Sequence, residues 1–214
     1  MDADWTVECG ADDPLVVIPW ANAEGTVAYL DLRASPDSLL EIPEAAHYPV
    51  IATALRCWNQ SDSPLFTAKC DVWEYPESLF DAEDLPGFTF ARGSYIDLIP
   101  NAPEDFSSFA AAEAQLRRCT EIARALPSLH ARCEWTLRRA WITVSKKTSG
   151  APDVETSYNK GFATTLYVWG YGMSAHEAAL VWTAALESLL HPVLTAWDDT
   201  IERPHKRCTP QAGE

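Results

Sequence analysis

The alternation of apolar and polar residues is clearest between residues 160 and 197, where it predicts a strand, a glycine turn and a long helix. Within GFATTLYVWGYG (161–172), successive side chains alternate between two faces that are both mainly apolar. Ser174 and Glu177 then match the S-x-x-E capping box that opens helices. After the cap, apolar residues recur every three or four positions, at Ala178, Trp182, Ala185, Leu186, Leu189 and Val193. This pattern predicts a largely buried helix over 174–197.

The rest of the chain follows the same order of elements. Strand patterns over 15–20, 25–32, 65–75, 88–100 and 132–145 and helical patterns over 49–59 and 103–126 divide it into three units, 15–59, 65–126 and 132–197. Hairpins between helices favour antiparallel pairing, and helices that follow each hairpin can pack on one side of a sheet. The sequence therefore predicts an α+β fold with a single antiparallel, possibly mixed, sheet of about six strands. Its order is a triplicated β-β-α, with the helices mainly on one face.

The predicted domain organisation is simple. Residues 1–14 are acidic and end at Pro14, which suggests a mobile lead-in. Residues 15–200 show no change of composition that would separate two domains, so we expect one α+β domain there, followed by a polar C-terminal tail over 201–214.

Composition and charge exclude several classes of function. The net charge of −15 opposes binding to nucleic acid, which is held chiefly by Lys and Arg. The six cysteines include no C-x-x-C pair and no spacing typical of a metal site, so we expect free thiols, no metal and no cofactor. The N-terminus lacks a secretory signal pattern and no apolar run appears long enough for a bilayer, which favours a cytoplasmic protein without membrane contact.

The charge is unevenly distributed. Residues 106–147 carry eight Lys or Arg against three Glu, whereas residues 1–48 carry ten acidic side chains against Arg33. Either the acidic segments fold back over the basic stretch, or the stretch forms a groove for an anionic ligand with Arg138 and Arg139 as binding residues.

Three residues are candidates for catalysis, each with an ordinary alternative. Cys70 could be a nucleophile, but it is in phase with apolar neighbours and fits an inert core cysteine. His176 at the start of the last helix could act as a neutral base, or lie exposed in solvent. Asp97, within YIDLIP, could have a raised pKa if buried, or pair with an arginine such as Arg92.

The odd-numbered aromatic residues of the last strand, Tyr167, Trp169 and Tyr171, are candidates for binding. They share one face and could form a platform for a sugar or a peptide. Packing beneath a helix is the more ordinary interpretation, and because both strand faces are apolar we expect Trp169 at least to be core.

No combination of nucleophile, base and orienting residue emerges from the sequence, so catalysis is not the favoured function. The first hypothesis is a non-catalytic, acidic module that binds a protein partner or itself as a homodimer, as an inhibitor, immunity or chaperone-like protein would by analogy of charge. The alternative is an enzyme or small-molecule-binding protein with a pocket between sheet and helices, drawing on Asp97, Arg138, Tyr167 and His176.

Overall fold

A computed structural model describes residues 1–76, 87–127, 129–146 and 155–198. The predicted tail over 201–214, with Cys208 and His205, lies outside the described residues. The structure is α+β, with six strands in one mixed sheet and helices beside it. The strands are β1 (Asp2–Glu8), β2 (Val16–Ile18), β3 (Leu65–Pro76), β4 (Phe90–Pro100), β5 (Ala131–Lys146) and β6 (Glu155–Gly172). The helices are α1 (Pro43–His47), α2 (Pro49–Trp58), α3 (Pro103–Ser107), α4 (Phe109–Ala125) and α5 (Ala175–Trp197), with a 3-10 helix at Pro36–Glu41.

The strand order is β1-β5-β6-β4-β3, and β2 pairs with the same edge of β5 as β1, further along it. The strands β3, β4, β6 and β5 are antiparallel neighbours, as the sequence predicts, but β1 and β2 both run parallel to β5. The sheet is therefore mixed, which the prediction allowed as its alternative, and the fully antiparallel arrangement is not confirmed.

The N-terminal part departs furthest from the prediction. Residues 1–14 are not simply a mobile lead-in, because residues 2–8 form β1 and pair with β5 from Arg132 to Arg138. The predicted hairpin of 15–20 with 25–32 is reduced to one isolated bridge between Ala21 and Ala28, next to the turn at Gly25. Three units that each consist of a hairpin and a helix are therefore not confirmed.

The main core lies between one face of the sheet, the helix face, and helices α2, α4 and α5. Leu166 and Val168 of β6 and Trp135 of β5 belong to it, together with Trp58 of α2 and Trp182 of α5. A smaller cluster on the opposite face is built from Ile18, Phe66, Ala68, Ile99, Phe106, Ala140 and Ala163. The rest of that second face carries no α-helix in the part of the chain that the structure describes, and we call it the open face.

The last helix is confirmed in position and in its buried residues. Ser174 accepts a hydrogen bond from the Glu177 amide at 3.2 Å, which caps the helix. By length and composition alone α5 could cross a membrane, with a mean hydropathy of 1.3 in its apolar window, contrary to the expectation from sequence. Its apolar side is nevertheless the central helix surface of the main core.

The other predicted helices need adjustment. Helix α2 begins at Pro49 as expected, and it is preceded by α1 and the 3-10 helix, which the sequence pattern did not indicate. The helix predicted over 103–126 is interrupted at Ser108, which has an extended backbone and caps α4 by accepting from the Ala111 amide.

Candidate functional site

The open face places four aromatic side chains next to one another across three strands. Trp73 of β3, Tyr95 of β4 and Tyr167 and Trp169 of β6 lie in two adjoining rows of the sheet. Their ring centroids are 6.1 Å apart for Trp73–Tyr95, 6.4 Å for Trp73–Tyr167, 5.9 Å for Tyr95–Tyr167 and 5.5 Å for Tyr167–Trp169. All four side chains are partly exposed. We call this set the aromatic array.

The array is not a flat platform. The rings of Tyr167 and Trp169 are 11° from parallel at 5.5 Å between centroids, so they stack on each other. Coplanar rings lying side by side on the sheet could not approach that closely without overlap of their edges. The two rings must therefore stand up from the strand and present their edges to solvent.

Gly93 makes room for two members of the array. It pairs with Trp73 on one side and Trp169 on the other, and a Cβ placed on it would lie 2.6 Å from Trp73 Nε1 and 2.9 Å from Trp169 Cδ1. Both indoles therefore lean over the glycine backbone.

A buried carboxyl lies beside the array. Asp97 is 5% exposed and its Oδ1 accepts a hydrogen bond from Thr165 Oγ1 at 2.6 Å. Burial raises the pKa of Asp97 and outweighs the opposing effects of the Thr165 hydrogen bond, Arg138 and Lys69. Burial and the charge of Asp97 likewise raise the pKa of the Tyr95 hydroxyl.

Two cations border the array from opposite sides. Arg138 forms an ion pair with Glu8 at 2.7 Å, contacts Thr165 Oγ1 at 3.4 Å and lies over the Tyr167 ring at 5.7 Å from its centroid. Lys69 lies 5.9 Å from the Tyr95 centroid and 5.3 Å from that of Trp20. The open face thus combines ring edges, a buried acid and two cations, which suits contact with mixed polar and apolar side chains.

The candidate residues from the sequence are only partly brought together. Tyr167, Trp169, Asp97 and Arg138 meet on the open face, and Tyr171 lies one row further along, 6.0 Å from Phe88, with its pKa raised by burial to about 12. No described helix covers them, so the expected packing of Trp169 beneath a helix is wrong.

Arg139, His176 and Cys70 lie elsewhere. Arg139 follows Arg138 on the strand and therefore leaves the opposite side of the sheet, where it donates to the Ala11 carbonyl oxygen. His176 is exposed on the first turn of α5. Cys70 packs against the main core, and burial together with nearby Glu44 and Asp71 raises its pKa, which fits an unreactive thiol rather than a nucleophile.

Four arginines of the basic stretch are paired with carboxylates, two with N-terminal residues and two, Arg117 and Arg132, with Glu113 and Glu134 of the stretch itself. Arg138 meets Glu8 and Arg124 meets Asp4 because β1 lies beside β5 and α4. Arg117 pairs with Glu113 within α4. This arrangement supports the interpretation in which acidic segments fold back over residues 106–147, and it leaves no continuous basic groove among the described residues.

A cavity of about 290 Å³ does lie between the sheet and the helices, where the alternative hypothesis expects one. It is bounded by Pro100 of β4, Phe162 of β6, Gln115 of α4 and Trp197 of α5. None of the four residues proposed for that pocket lines it. Within the described part of the chain, no three His, Cys, Asp or Glu side chains are grouped as metal ligands.

The buried Asp97 yields a test by pH. Its pKa is raised in the folded state above the unfolded value of about 3.8, so the folded state binds the proton more tightly and stability falls as pH rises through the folded pKa. In Asp97→Asn this loss is absent, while the amide oxygen can still accept from Thr165. We expect urea unfolding from pH 4 to 8 to show that the free energy of unfolding of the variant increases relative to that of the wild type as pH rises. A difference that is independent of pH, or that grows towards low pH, would contradict a raised pKa.

No protein-family model matches this chain, and neither the curated proteins nor the solved structures contain a match.

Proposed function

We propose that the chain is a non-catalytic binding protein and that its aromatic array contacts a partner protein or a second copy of the chain. The observation that carries the proposal is the group of partly exposed rings on a sheet face without a described helix. Aromatic side chains are enriched at protein interfaces because they contribute a large contact area and a polar edge at low entropic cost. The array would supply such anchors at the centre of a contact.

The upright rings favour a protein over a sugar. A sugar stacks on an exposed ring face, but the facing surfaces of Tyr167 and Trp169 already cover each other. Ring edges instead fit between side chains of a partner, where the Tyr hydroxyl groups and the Trp169 indole N–H can donate hydrogen bonds, although the Trp73 N–H is buried over Gly93.

Charge favours a basic partner. The net charge is −15. On the same face as the array, Glu8 and Glu134 are paired with Arg138 and Arg132, whereas Asp71 forms no ion pair with another described residue. Complementary potentials raise the rate of association and discriminate against like-charged partners. The binding should therefore weaken as the salt concentration rises.

The function is tested by Trp169→Ala, with Trp141→Ala as the matched control. Trp141 is also partly exposed, but it contacts Tyr158 and Lys160 away from the array. Sedimentation velocity reports self-association, and quantitative comparison of proteins retained by each immobilised variant reports a partner. We expect Trp169→Ala to lose a dimer or a retained protein by about tenfold or more while Trp141→Ala keeps it. The proposal is refuted if the wild type is monomeric and if the immobilised wild type and both variants retain the same proteins in the same amounts.

The alternative of a small-molecule protein or enzyme stays a prediction. Its one structural support is the cavity between Gln115 and Trp197, because Asp97, Arg138 and Tyr167 belong to the open face and His176 lies apart from them. A ligand in that cavity would raise the melting temperature in proportion to its occupancy. The absence of any such shift across a fragment collection would count against it.

A further inference from the structure

The outer side of β3 is a strand edge with backbone groups directed away from the sheet. β3 ends the strand order, with β4 as its only neighbour among the described strands. The amide of Val72 donates to Asp71 Oδ1 at 2.8 Å, so it does not take part in the ladder with β4. Because hydrogen-bonding direction alternates along a strand, the N–H and C=O groups of Cys70 and Val72 both point outward.

A register shift in β3 agrees with the outward direction of the Cys70 and Val72 backbone groups. Before it, the amide of Thr67 points outward and is held by Asn59 Oδ1 at 3.0 Å. The register then shifts between Thr67 and Cys70, with one extra residue on β3, which moves the outward direction from odd to even positions. Asn59 thus satisfies the edge before the shift, and Trp20 Nε1 donates to the Ala68 carbonyl oxygen at 2.8 Å within it. No hydrogen bond from another described residue reaches the outward groups of Cys70.

A cavity of about 340 Å³ runs along this edge. Five consecutive residues of β3, 67–71, line it. They include residues of both faces, since Cys70 packs against the main core whereas Ala68 belongs to the cluster on the opposite face, so the cavity follows the edge rather than either face. Its far wall is apolar and includes Val27, Leu30 and Leu32. The volume is within the range of about 300–1,000 Å³ that ligand sites occupy.

The lining of this cavity is acidic. Glu41, Glu44 and Asp71 border it, and none of the three forms an ion pair with another described residue. Lys69 is the cation of the lining, and its ammonium already lies over the Trp20 and Tyr95 rings. A cationic ligand is therefore favoured, and a second copy of β3 is disfavoured because it would bring the same carboxylates close together.

We propose that the edge of β3 at residues 70–72 binds an extended, basic segment of a partner protein by strand addition. Backbone groups of the segment would pair with the amide and carbonyl of Cys70 and with the carbonyl oxygen of Val72, whose amide stays bonded to Asp71. A Lys or Arg side chain would meet Glu41, Glu44 and Asp71, and an apolar side chain would enter the cavity. The inference names a second surface and the chemistry of its partner. It rests on the proposed function only in that both surfaces bind protein.

The probe for the charge requirement is the peptide acetyl-Val-Lys-Val-Lys-Val-Lys-amide, measured by calorimetry against full-length protein. The test variant combines Glu41→Gln, Glu44→Gln and Asp71→Asn. Its matched control, Asp62→Asn with Glu121→Gln and Glu187→Gln, removes the same charge at exposed positions elsewhere. We expect the test variant to bind the peptide about tenfold more weakly or worse and the control to change less than about twofold. Failure of the peptide to bind the wild type, or equal loss in both variants, would overturn the inference.

Two further probes test the mode of binding. Two peptides are compared, one methylated at its odd-numbered amides and one at its even-numbered amides. Methylation should abolish binding in the peptide whose methylated amides would face β3 and should be tolerated in the other. Equal effects in both peptides would show binding by side chains alone and would overturn strand addition. The acidic counterpart, with Glu for Lys, should not bind.

The inference is separable from the role of the aromatic array. Trp169→Ala should leave the peptide affinity unchanged. A loss of peptide binding in this variant would place the peptide on the open face and overturn the edge site. A dimer that tightens in the triple variant would place a second copy at the edge, which also overturns it. If the peptide does not bind the wild type but Trp169→Ala still disrupts association through the aromatic array, the edge site is rejected and the proposed function is not.

Discussion

Replacing Trp182 with alanine is expected to lower the free energy of unfolding by about 3–5 kcal/mol. Trp182 is 1% exposed, and its position on α5 sets it between the helix and strands β4 and β6. Its Nε1 donates to Ser94 Oγ at 2.9 Å, and its ring meets that of Tyr48 edge to face at 5.7 Å. The truncation would leave a large cavity and deprive the buried Ser94 hydroxyl of its donor.

The matched comparison is Trp169→Ala, which makes the same truncation on the other side of the sheet. Trp169 is partly exposed and stacks on Tyr167, so its removal opens little closed space. We expect it to cost about half as much as Trp182→Ala or less in urea unfolding. Equal losses would mean that the open face is as tightly packed as the main core, and the array would then be structural rather than a binding surface.

The part of the fold that the sequence predicts well is local. Helix α5 follows from the cap at Ser174 and from apolar residues at helical spacing, and β6 follows from strict alternation between its two faces. Both signals depend on residues within a few positions of each other. The antiparallel β3–β4 and β5–β6 pairs also follow, because neighbouring strands in sequence usually pair.

Strand β1 and the pairing of β2 could not be predicted in the same way, because the partner of both is β5, far along the chain. Ala3, Trp5 and Val7 do alternate with polar residues, but Asp2, Asp4 and Glu8 make the segment look like a solvated lead-in. In the fold two of these acids form ion pairs at the sheet edge, Asp4 with Arg124 and Glu8 with Arg138. A period-two pattern with an acidic outer side was the signal that could have identified β1.

The candidate site shows the same division. Alternation along β6 places Tyr167, Trp169 and Tyr171 together, whereas the addition of Trp73 and Tyr95 requires the register of three strands. The apolar appearance of both faces suggested that both were buried. On the open face that appearance comes instead from aromatic residues that remain partly exposed, and residue type alone does not distinguish the two cases.

Replacing Gly170 with alanine is expected to destabilise the protein by about 3 kcal/mol, the upper end of the usual cost of overpacking. Gly170 is on the helix face of β6, where α5 lies against the strand. A Cβ there would be 2.2 Å from the Trp182 amide nitrogen, 2.6 Å from its Cα and 2.7 Å from the Ala178 carbonyl oxygen. These are backbone atoms of a helix, so the contact cannot be relieved by rotation of a side chain, and α5 as a whole would have to move.

Gly10→Ala provides the control for this prediction, since both changes add one methyl group to a glycine. At Gly10 the nearest atom to the added Cβ is Asp13 Oδ2 at 3.0 Å. Asp13 is partly exposed and accepts a hydrogen bond from the Gly10 amide, and its side chain can adjust by rotation because this contact lies at the surface. We expect urea unfolding to change by no more than about 0.5 kcal/mol for Gly10→Ala. A similarly small change for Gly170→Ala would show that α5 does not approach β6 as closely as described, and the burial of Trp182 beneath it would have to be reconsidered.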